Sequence, residues 1–255
     1  MNLGLAGRVA LVNGASQGIG YGIALALAGE GARVAIAARR TPALRAAADR
    51  IAHETGADIL PIQCDIRRAE DCERVITETV RHFGALHAVV NNDGAPPLGD
   101  LLAFDDAAWT KAVEQNFLSV VRLTRAAAPH IKAAGGGAIL NIAALSMLEP
   151  KPGFGLSVAT WAAVMGFAKT ASIELGRDNI SINTLAPGLI ETPRLHKVTE
   201  QSGKVMGEFA AAIPLGRIGT PQDVAALAAL LVSPRGSYIT GTTIPVDGGL
   251  LASLR

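Results

Sequence analysis

The chain has 255 residues, of which 49% are hydrophobic, 18% are charged and 28 are glycine. This composition excludes an intrinsically disordered chain and permits a large apolar core. The formal net charge of +1 gives no electrostatic reason to expect binding to nucleic acid or to an anionic membrane. We see no signal peptide and no stretch of about 20 apolar residues that could span a bilayer, so we expect no membrane partner.

Strands and helices are predicted to alternate along the chain. Short aliphatic runs predict strands at 8–12, 33–38, 58–64, 87–91, 138–143, 180–186 and 242–246. Amphipathic segments predict a helix that begins near Ile19 and further helices at 41–55, 69–83, 105–134, 157–176 and 221–232. Such alternation favours right-handed crossovers between parallel strands. The predicted fold is α/β, a single Rossmann-like domain over residues 1–255 with a doubly wound parallel sheet and helices on both faces.

A glycine-rich turn, "NGASQGIG" at 13–20, follows the first predicted strand and leads into the first helix. Glycine lets the backbone turn sharply and approach a pyrophosphate, and a helix N-terminus offers unpaired N–H groups and a positive dipole end. A plain strand-to-helix turn is the alternative. The position of the motif after the first strand of an alternating chain favours nucleotide binding.

The second strand ends at Arg39 and Arg40 rather than at a carboxylate. A carboxylate at this place binds the ribose hydroxyls of NAD, whereas arginine suits the 2′-phosphate of NADP. The sequence therefore favours NADP over NAD. The alternative is that both arginines are merely solvated at a strand end.

Cysteines and histidines indicate neither disulfides nor a metal site. Two cysteines, Cys64 and Cys72, in a chain without a signal sequence predict reduced thiols and a cytoplasmic protein. The five histidines show no metal-ligand spacing, so no metal is expected.

Further motifs in the same order resemble the short-chain dehydrogenase/reductase family, most closely its acyl-carrier-protein ketoreductase branch, over essentially the whole chain. They are "CDI" at 64–66, "NNDG" at 91–94, "EQNFLSV" around Asn116, "NTLAPGLIET" at 183–192, "RIGTPQDVA" and "YITGTTIPVDGG". The resemblance implies hydride transfer between a nicotinamide cofactor and a carbonyl or alcohol. It also implies a homotetramer assembled through the long fourth and fifth crossover helices and the C-terminal strand.

The resemblance also assigns site residues. It implies that Asp65 contacts the adenine, that Asn116 supports a proton-relay water, and that the loop from Pro187 contacts the nicotinamide amide. The cofactor-binding residues so implied, together with the arginines above, are Gly14, Ser16, Gln17, Gly18, Ile19, Gly20, Arg39, Arg40, Asp65, Ile66, Asn91, Gly94, Pro187, Gly188, Ile190 and Thr192.

Three catalytic positions depart from the family pattern. In the family a Tyr exchanges the proton of the substrate oxygen, a Lys four residues later lowers the pKa of that Tyr, and a Ser thirteen residues earlier orients the oxygen. Here these positions hold Ser157, Trp161 and Ala144. An aliphatic hydroxyl is a far weaker acid than a phenol, and an indole offers one neutral N–H in place of a cation. Because acid–base help contributes typically ~10²–10⁴-fold, any remaining hydride transfer is expected to be slow. The candidate catalytic residues are therefore Asn116, which is retained, and Ser157.

Two more departures lie close together in the predicted fold. The family's Thr of the first motif is Asn13, and its Ala in the Asn-Asn-Ala-Gly motif is Asp93. We expect these two side chains to hydrogen-bond across adjacent strand ends. The carboxylate of Asp93 is also expected to weaken the binding of a cofactor that carries phosphates.

Other residues could replace the missing groups. Ser146, Glu149, Lys151 and His196 are candidates, and the alternative is that all four are solvated loop residues. Trp161 is interpreted as a packing residue, in a stripe with Val158, Ala162 and Met165.

Three functions remain open from the sequence. The first is an atypical NADP-binding oxidoreductase that acts on an unidentified carbonyl or alcohol. The second is a catalytically silent module that binds a nucleotide or another small molecule, or that supports an active paralogue. The third and weakest is a lyase or isomerase step in the same cleft.

Overall fold

The computed structural model describes residues 2–94, 96–203 and 205–253. Seven strands are found among these residues: β1 Val9–Asn13, β2 Arg33–Ala38, β3 Ile59–Gln63, β4 Ala88–Asn91, β5 Gly137–Ile142, β6 Ile180–Pro187 and β7 Thr243–Val246. Each lies within one residue of its predicted bounds. All neighbours pair in parallel, in the order β3-β2-β1-β4-β5-β6-β7. The predicted parallel sheet is confirmed.

The helices are α1 Gly18–Gly29, α2 Thr41–Thr55, α3 Ala69–Phe83, α4 Asp106–Ala112, α5 Ser119–Ala133, α6 Gly155–Leu175, α7 Pro193–Ser202, α8 Met206–Ala211 and α9 Pro221–Val232. The helix predicted at 105–134 is confirmed as continuous helical structure over 106–133, and a π-helix at Val113–Leu118, which was not predicted, joins α4 to α5. Helices α7 and α8 were not predicted. They are ten and six residues long, and none of the described side chains of α8 is buried, so each gives only a weak helical signal in the sequence.

Two apolar clusters cover the two faces of the sheet. One cluster contains side chains of α1, α2 and α9, and the other contains side chains of α3, α5 and α6. The strand order reverses between β1 and β4. In a doubly wound sheet, ligands bind beyond the carboxyl ends of the strands at such a reversal. The fold therefore directs attention to the loops that follow β1, β2, β4 and β6.

Helix α6 departs from the expectation that the chain has no membrane-length apolar stretch. Residues Gly155–Asp178 are long and apolar enough to cross a bilayer by length and composition, with a mean hydropathy of 1.2. Within the protein, 44% of its most apolar 18-residue window is buried, and side chains of α6 contribute to two of the core clusters. Core helices of globular proteins have the same character, so the apolar composition is explained by packing within the fold.

Candidate functional site

The glycine-rich turn after β1 has the geometry of an anion site. Gly14 and Gly18 both have φ of 61°, a left-handed conformation that favours glycine. Gln17 precedes α1 without making a side-chain capping bond. The first N–H groups of α1 and the positive end of its dipole therefore face the edge of the sheet where a phosphate would bind.

Asn92 fixes this turn against the loop that follows β4. Its Nδ2 donates to the carbonyl oxygens of Asn13 at 3.1 Å and Gly14 at 3.2 Å. A Cβ on Gly14 would lie 2.6 Å from that nitrogen, and a Cβ on Gly20 would lie 2.5 Å from the Gly14 oxygen. Close backbone approach thus requires glycine at both positions. Sequence reasoning missed Asn92, although the "NNDG" motif contained it.

The loop after β6 reaches the same turn. Gly188 N–H donates to the Val246 oxygen at 3.0 Å, and a Cβ on Gly188 would meet the Cβ of Asp247 at 2.7 Å. Thr192 caps α7, and its Cγ2 lies 3.3 Å from where a Cβ on Gly18 would stand. The glycine-rich turn at 13–20 and the loop at 187–192, here called the Pro-Gly loop, are far apart in sequence but therefore border one cleft. Pro187 and Ile190, also predicted to bind cofactor, are buried beneath it.

The residues predicted to select the cofactor lie beyond β2 and β3. Arg39 and Arg40 are exposed. Exposure is compatible both with binding a 2′-phosphate and with plain solvation at the end of a strand. Asp65 is bound by Arg67, whose Nε donates to Oδ1 at 2.9 Å. This hydrogen bond holds the pKa of Asp65 below its ordinary value. Ile66 is 8% exposed beside it. Arg67 was missed from the sequence because its pairing depends on the conformation of the turn.

The predicted hydrogen bond between Asn13 and Asp93 is wrong. Asn13 is fully buried and donates instead to the Val90 oxygen at 3.4 Å, so its amide points along the edge of β4. Asp93 accepts from the N–H of Gly94, and burial raises its pKa. The Oδ1 atom of Asn13 has no hydrogen-bond partner in the described part of the chain.

Asn116 lies in the π-helix and is fully buried. Its Nδ2 donates to Thr160 Oγ1 at 2.8 Å, and that hydroxyl donates to the Leu156 oxygen at 2.7 Å. The amide is thereby held by α6, between the positions of Ser157 and Trp161. This contact was absent from the sequence analysis because it joins residues 44 positions apart.

Trp161 is 4% exposed, and its packing interpretation is confirmed. It packs in a cluster with Val120, Met147, Val164 and Ala186. The predicted stripe was wrong, because residue 162 is exposed, and the buried face of α6 comprises Leu156, Ser157, Thr160, Trp161, Val164, Ala168, Ala171 and Ser172.

A small cavity of about 10 Å³ adjoins Trp161, close to the least volume that holds one water molecule. It is lined by Ile66, Asn91, Asn92, Asp93, Gln115, Ser119, Val120, Leu123 and Trp161. Asn91 is 3% exposed and donates to Asn141 Oδ1 at 2.9 Å. The indole of Trp161 therefore belongs to the wall of the cleft near the end of β4.

The proposed substitutes for the missing groups do not converge on Ser157. Ser146 Oγ and Glu149 Oε2 are buried without hydrogen-bond partners, and Lys151 Nζ lies 3.6 Å from Glu149 Oε1. His196 is exposed on α7. Among the described contacts, no hydrogen bond or ion pair joins any of these four side chains to Ser157.

Neither tyrosine of the chain lies on α6, the helix that carries Ser157. The Tyr21 ring stacks with the Arg50 guanidinium, 5.1 Å from the ring centroid, and Tyr238 is fully exposed. The nearest lysine along α6, Lys169, lies beside Gly241, ahead of β7 and at the opposite edge of the sheet. No described hydrogen bond joins any of these three side chains to Ser157.

Helix α7 contacts the loop after β4. Arg194 Nη2 donates to the Pro96 oxygen at 2.9 Å, and burial lowers the pKa of this guanidinium. The contact spans the cleft between the loops that follow β4 and β6.

Comparison with protein families matches residues 14–251 to the model described as enoyl-(acyl carrier protein) reductase. A 3-oxoacyl-[acyl-carrier-protein] reductase of Chlamydia muridarum is 32% identical over 98% of this chain and 100% of its own length. Human dehydrogenase/reductase SDR family member 4 is 33% identical over 96% of this chain and 88% of its own length.

Solved structures of reductases and dehydrogenases also superimpose on this chain over its full length. The L-sorbose reductase of Gluconobacter frateurii, crystallised with NADPH and L-sorbose, superimposes with a TM-score of 0.94 at 32% identity, over 100% of both chains. A 7α-hydroxysteroid dehydrogenase complexed with NADH and 7-oxo glycochenodeoxycholic acid gives a TM-score of 0.92 at 29% identity, over 100% of this chain and 98% of its own.

Proposed function

Because the chain belongs to the short-chain dehydrogenase/reductase family of oxidoreductases, we propose that it binds NADP(H) and lacks the standard groups for proton transfer. Its substrate class would be a carbonyl or alcohol. The observation that carries the proposal is Trp161, buried in α6 at the position where the resemblance places a lysine.

The residues at the edge of the sheet fit a dinucleotide. The glycines that exclude a Cβ and the uncapped start of α1 suit a pyrophosphate. When bound, the nicotinamide supplies or accepts a hydride. We assign the pyrophosphate to Gly14, Ser16, Gln17, Gly18, Ile19 and Gly20, the 2′-phosphate to Arg39 and Arg40, the adenosine to Asp65, Ile66, Asn91 and Gly94, and the nicotinamide to Pro187, Gly188, Ile190 and Thr192.

Proton transfer is the step for which the chain's own residues are poorly suited. Ser157 is 4% exposed and offers an aliphatic hydroxyl with no described cation beside it. The Nδ2 of Asn116 is bonded to Thr160, and its Oδ1, which has no partner among the described residues, can accept a proton in a hydrogen bond but cannot donate one. A substrate oxygen that gains a hydride therefore finds no acid comparable to a phenol beside an ammonium group.

A second candidate function is a catalytically silent module that binds nucleotide. Trp161 favours it, because an indole packed in the core neither polarises a neighbouring hydroxyl nor carries a charge. The glycine turn and Pro-Gly loop still form one cleft, so ligand binding can be retained where chemistry is lost.

Titration of the protein with NADPH and with NADH, followed by nucleotide fluorescence, tests cofactor binding. We expect saturable binding that is tighter for NADPH. Absorbance at 340 nm with a panel of ketones and aldehydes then tests turnover, and we expect no oxidation above background. Absence of binding by either nucleotide would contradict the proposed cofactor site. Rapid oxidation would contradict the proposed loss of proton-transfer groups.

A further inference from the structure

Asp93 and Arg39 lie on the two sides of the glycine turn. Val12 of β1 pairs with Ile36 of β2 on one side and with Val90 of β4 on the other. Arg39 and Asp93 each follow those paired residues by three positions. The side chain of Asn92 is hydrogen-bonded to the turn itself, so the backbone before Asp93 is fixed beside the phosphate site.

The charges that face Asp93 come from two neighbouring loops. Arg39 follows β2, and Asp65 and Arg67 follow β3. Arg67 is committed to Asp65 through its hydrogen bonds. No ion pair of Arg39 is found within 2–94, 96–203 and 205–253. Arg39 is therefore the cation available either to Asp93 or to an incoming anion.

We propose that Asp93 reduces the preference of this cleft for NADP(H) over NAD(H), by opposing the 2′-phosphate of NADP(H) and competing with it for Arg39. The inference rests on the proposed cofactor site. A carboxylate repels the doubly charged phosphate ester but can accept hydrogen bonds from the free ribose hydroxyls of NAD(H). Both effects move the preference in one direction, toward NAD(H), and so oppose the preference that the arginines alone would give.

The test compares dissociation constants of NADPH and NADH for the wild-type protein and for Asp93→Asn. Asparagine keeps the shape and one oxygen that can accept from Gly94; it removes the charge and replaces the other carboxylate oxygen with an amide donor. Glu54→Gln is the matched control, since Glu54 is exposed near the end of α2, at the opposite edge of the sheet. We expect Asp93→Asn to shift the ratio of NADPH affinity to NADH affinity toward NADPH by about tenfold, because one partly buried charge close to a phosphate has an effect of this size. We expect Glu54→Gln to leave the ratio unchanged.

A pH series separates charge from shape. Burial raises the pKa of Asp93, so its charge is lost as pH falls through that raised value. The probes are NADP⁺ and NAD⁺. At lower pH the ratio of their affinities in wild type should approach the ratio in Asp93→Asn, because Asp93 becomes neutral. The titration of the 2′-phosphate itself is common to both proteins and cancels in this comparison.

The outcomes distinguish this inference from the function on which it rests. Binding of both nucleotides with an unchanged ratio in Asp93→Asn would overturn the role of Asp93 and leave the cofactor site intact. Binding of neither nucleotide to any variant would contradict the cofactor site and, with it, the role of Asp93. Wild-type binding that is tighter for NADPH than for NADH, with an affinity ratio that rises about tenfold further toward NADPH in Asp93→Asn, would support both.

Discussion

Trp161 combines the loss of a cation with the gain of an apolar contact surface. Its indole packs with side chains from α5, α6 and β6 and is 4% exposed. A side chain as large as an indole with so little exposure is part of the core of the fold. The same side chain that removes the expected ammonium group therefore stabilises the cleft wall.

Replacing Trp161 with alanine should lower the free energy of unfolding by about 3–5 kcal/mol, because it leaves a cavity that the surrounding helix cannot fill. Urea denaturation followed by circular dichroism measures the loss. Trp109→Ala is the matched control: Trp109 is only partly buried on α4, so its loss should cost less than about 2 kcal/mol. Equal losses in the two variants would contradict a core role for Trp161.

Side-chain partners were the part of the site that the sequence could not supply. Helical spacing predicted that Trp161 packs in the core, but it did not predict which other residues of α6 share its buried face. That face depends on how α6 lies on the sheet. The Asn13–Asp93 bond failed because Asn13 points along β4 instead. Arg67 and Thr160 were missed because turn conformation and helix docking select them.

Among the elements, the buried strands were predicted within one residue, because parallel strands covered on both faces are continuous aliphatic runs bounded by polar residues. The π-helix around Asn116 was not predicted, since π-helices are rare and occur mostly as single turns inside α-helices. The helices after β6 were missed for a different reason: they are only ten and six residues long, so each gives a weak helical signal in the sequence.

Helix α1 supplies a prediction about the glycine turn. A Cβ on Gly20 would lie 2.5 Å from a backbone oxygen, whereas a Cβ on Gly29 would meet no atom within 4 Å. Gly20→Ala should therefore lower stability by about 1–3 kcal/mol and weaken NADPH binding. Gly29→Ala, in the same helix, should be neutral or stabilising by up to about 1 kcal/mol. Thermal unfolding and NADPH fluorescence measure both; normal NADPH binding by Gly20→Ala would contradict the proposed phosphate site.

At the scale of the whole molecule, exposed apolar side chains support the proposal of a homotetramer. Tyr238 and Ile239 precede β7, which is an edge strand, and Ile173 on α6 is 71% exposed. Apolar groups of this size at an edge and on a long helix favour contact with another copy of the chain.

Light scattering after size exclusion should give a mass four times the 26.2 kDa of one chain. Ile173→Asp should lower that mass, because it places a charge in the proposed contact. Leu102→Asp is the control, since Leu102 is 92% exposed in the loop after β4, away from the proposed contacts. A wild-type mass of a single chain would contradict the tetramer.

The central claim is that the cleft binds NADP(H) but lacks an adequate proton donor. The most direct measurement is the rate of NADPH oxidation, with a carbonyl panel, in wild type and in a variant carrying Ala144→Ser, Ser157→Tyr and Trp161→Lys. Nucleotide binding by the variant confirms that it is folded. We predict a rate at least ~100-fold higher in the variant, the contribution expected of a restored acid–base group. A wild-type rate that equals that of the variant, and that is lost in Ser157→Ala, would contradict the claim.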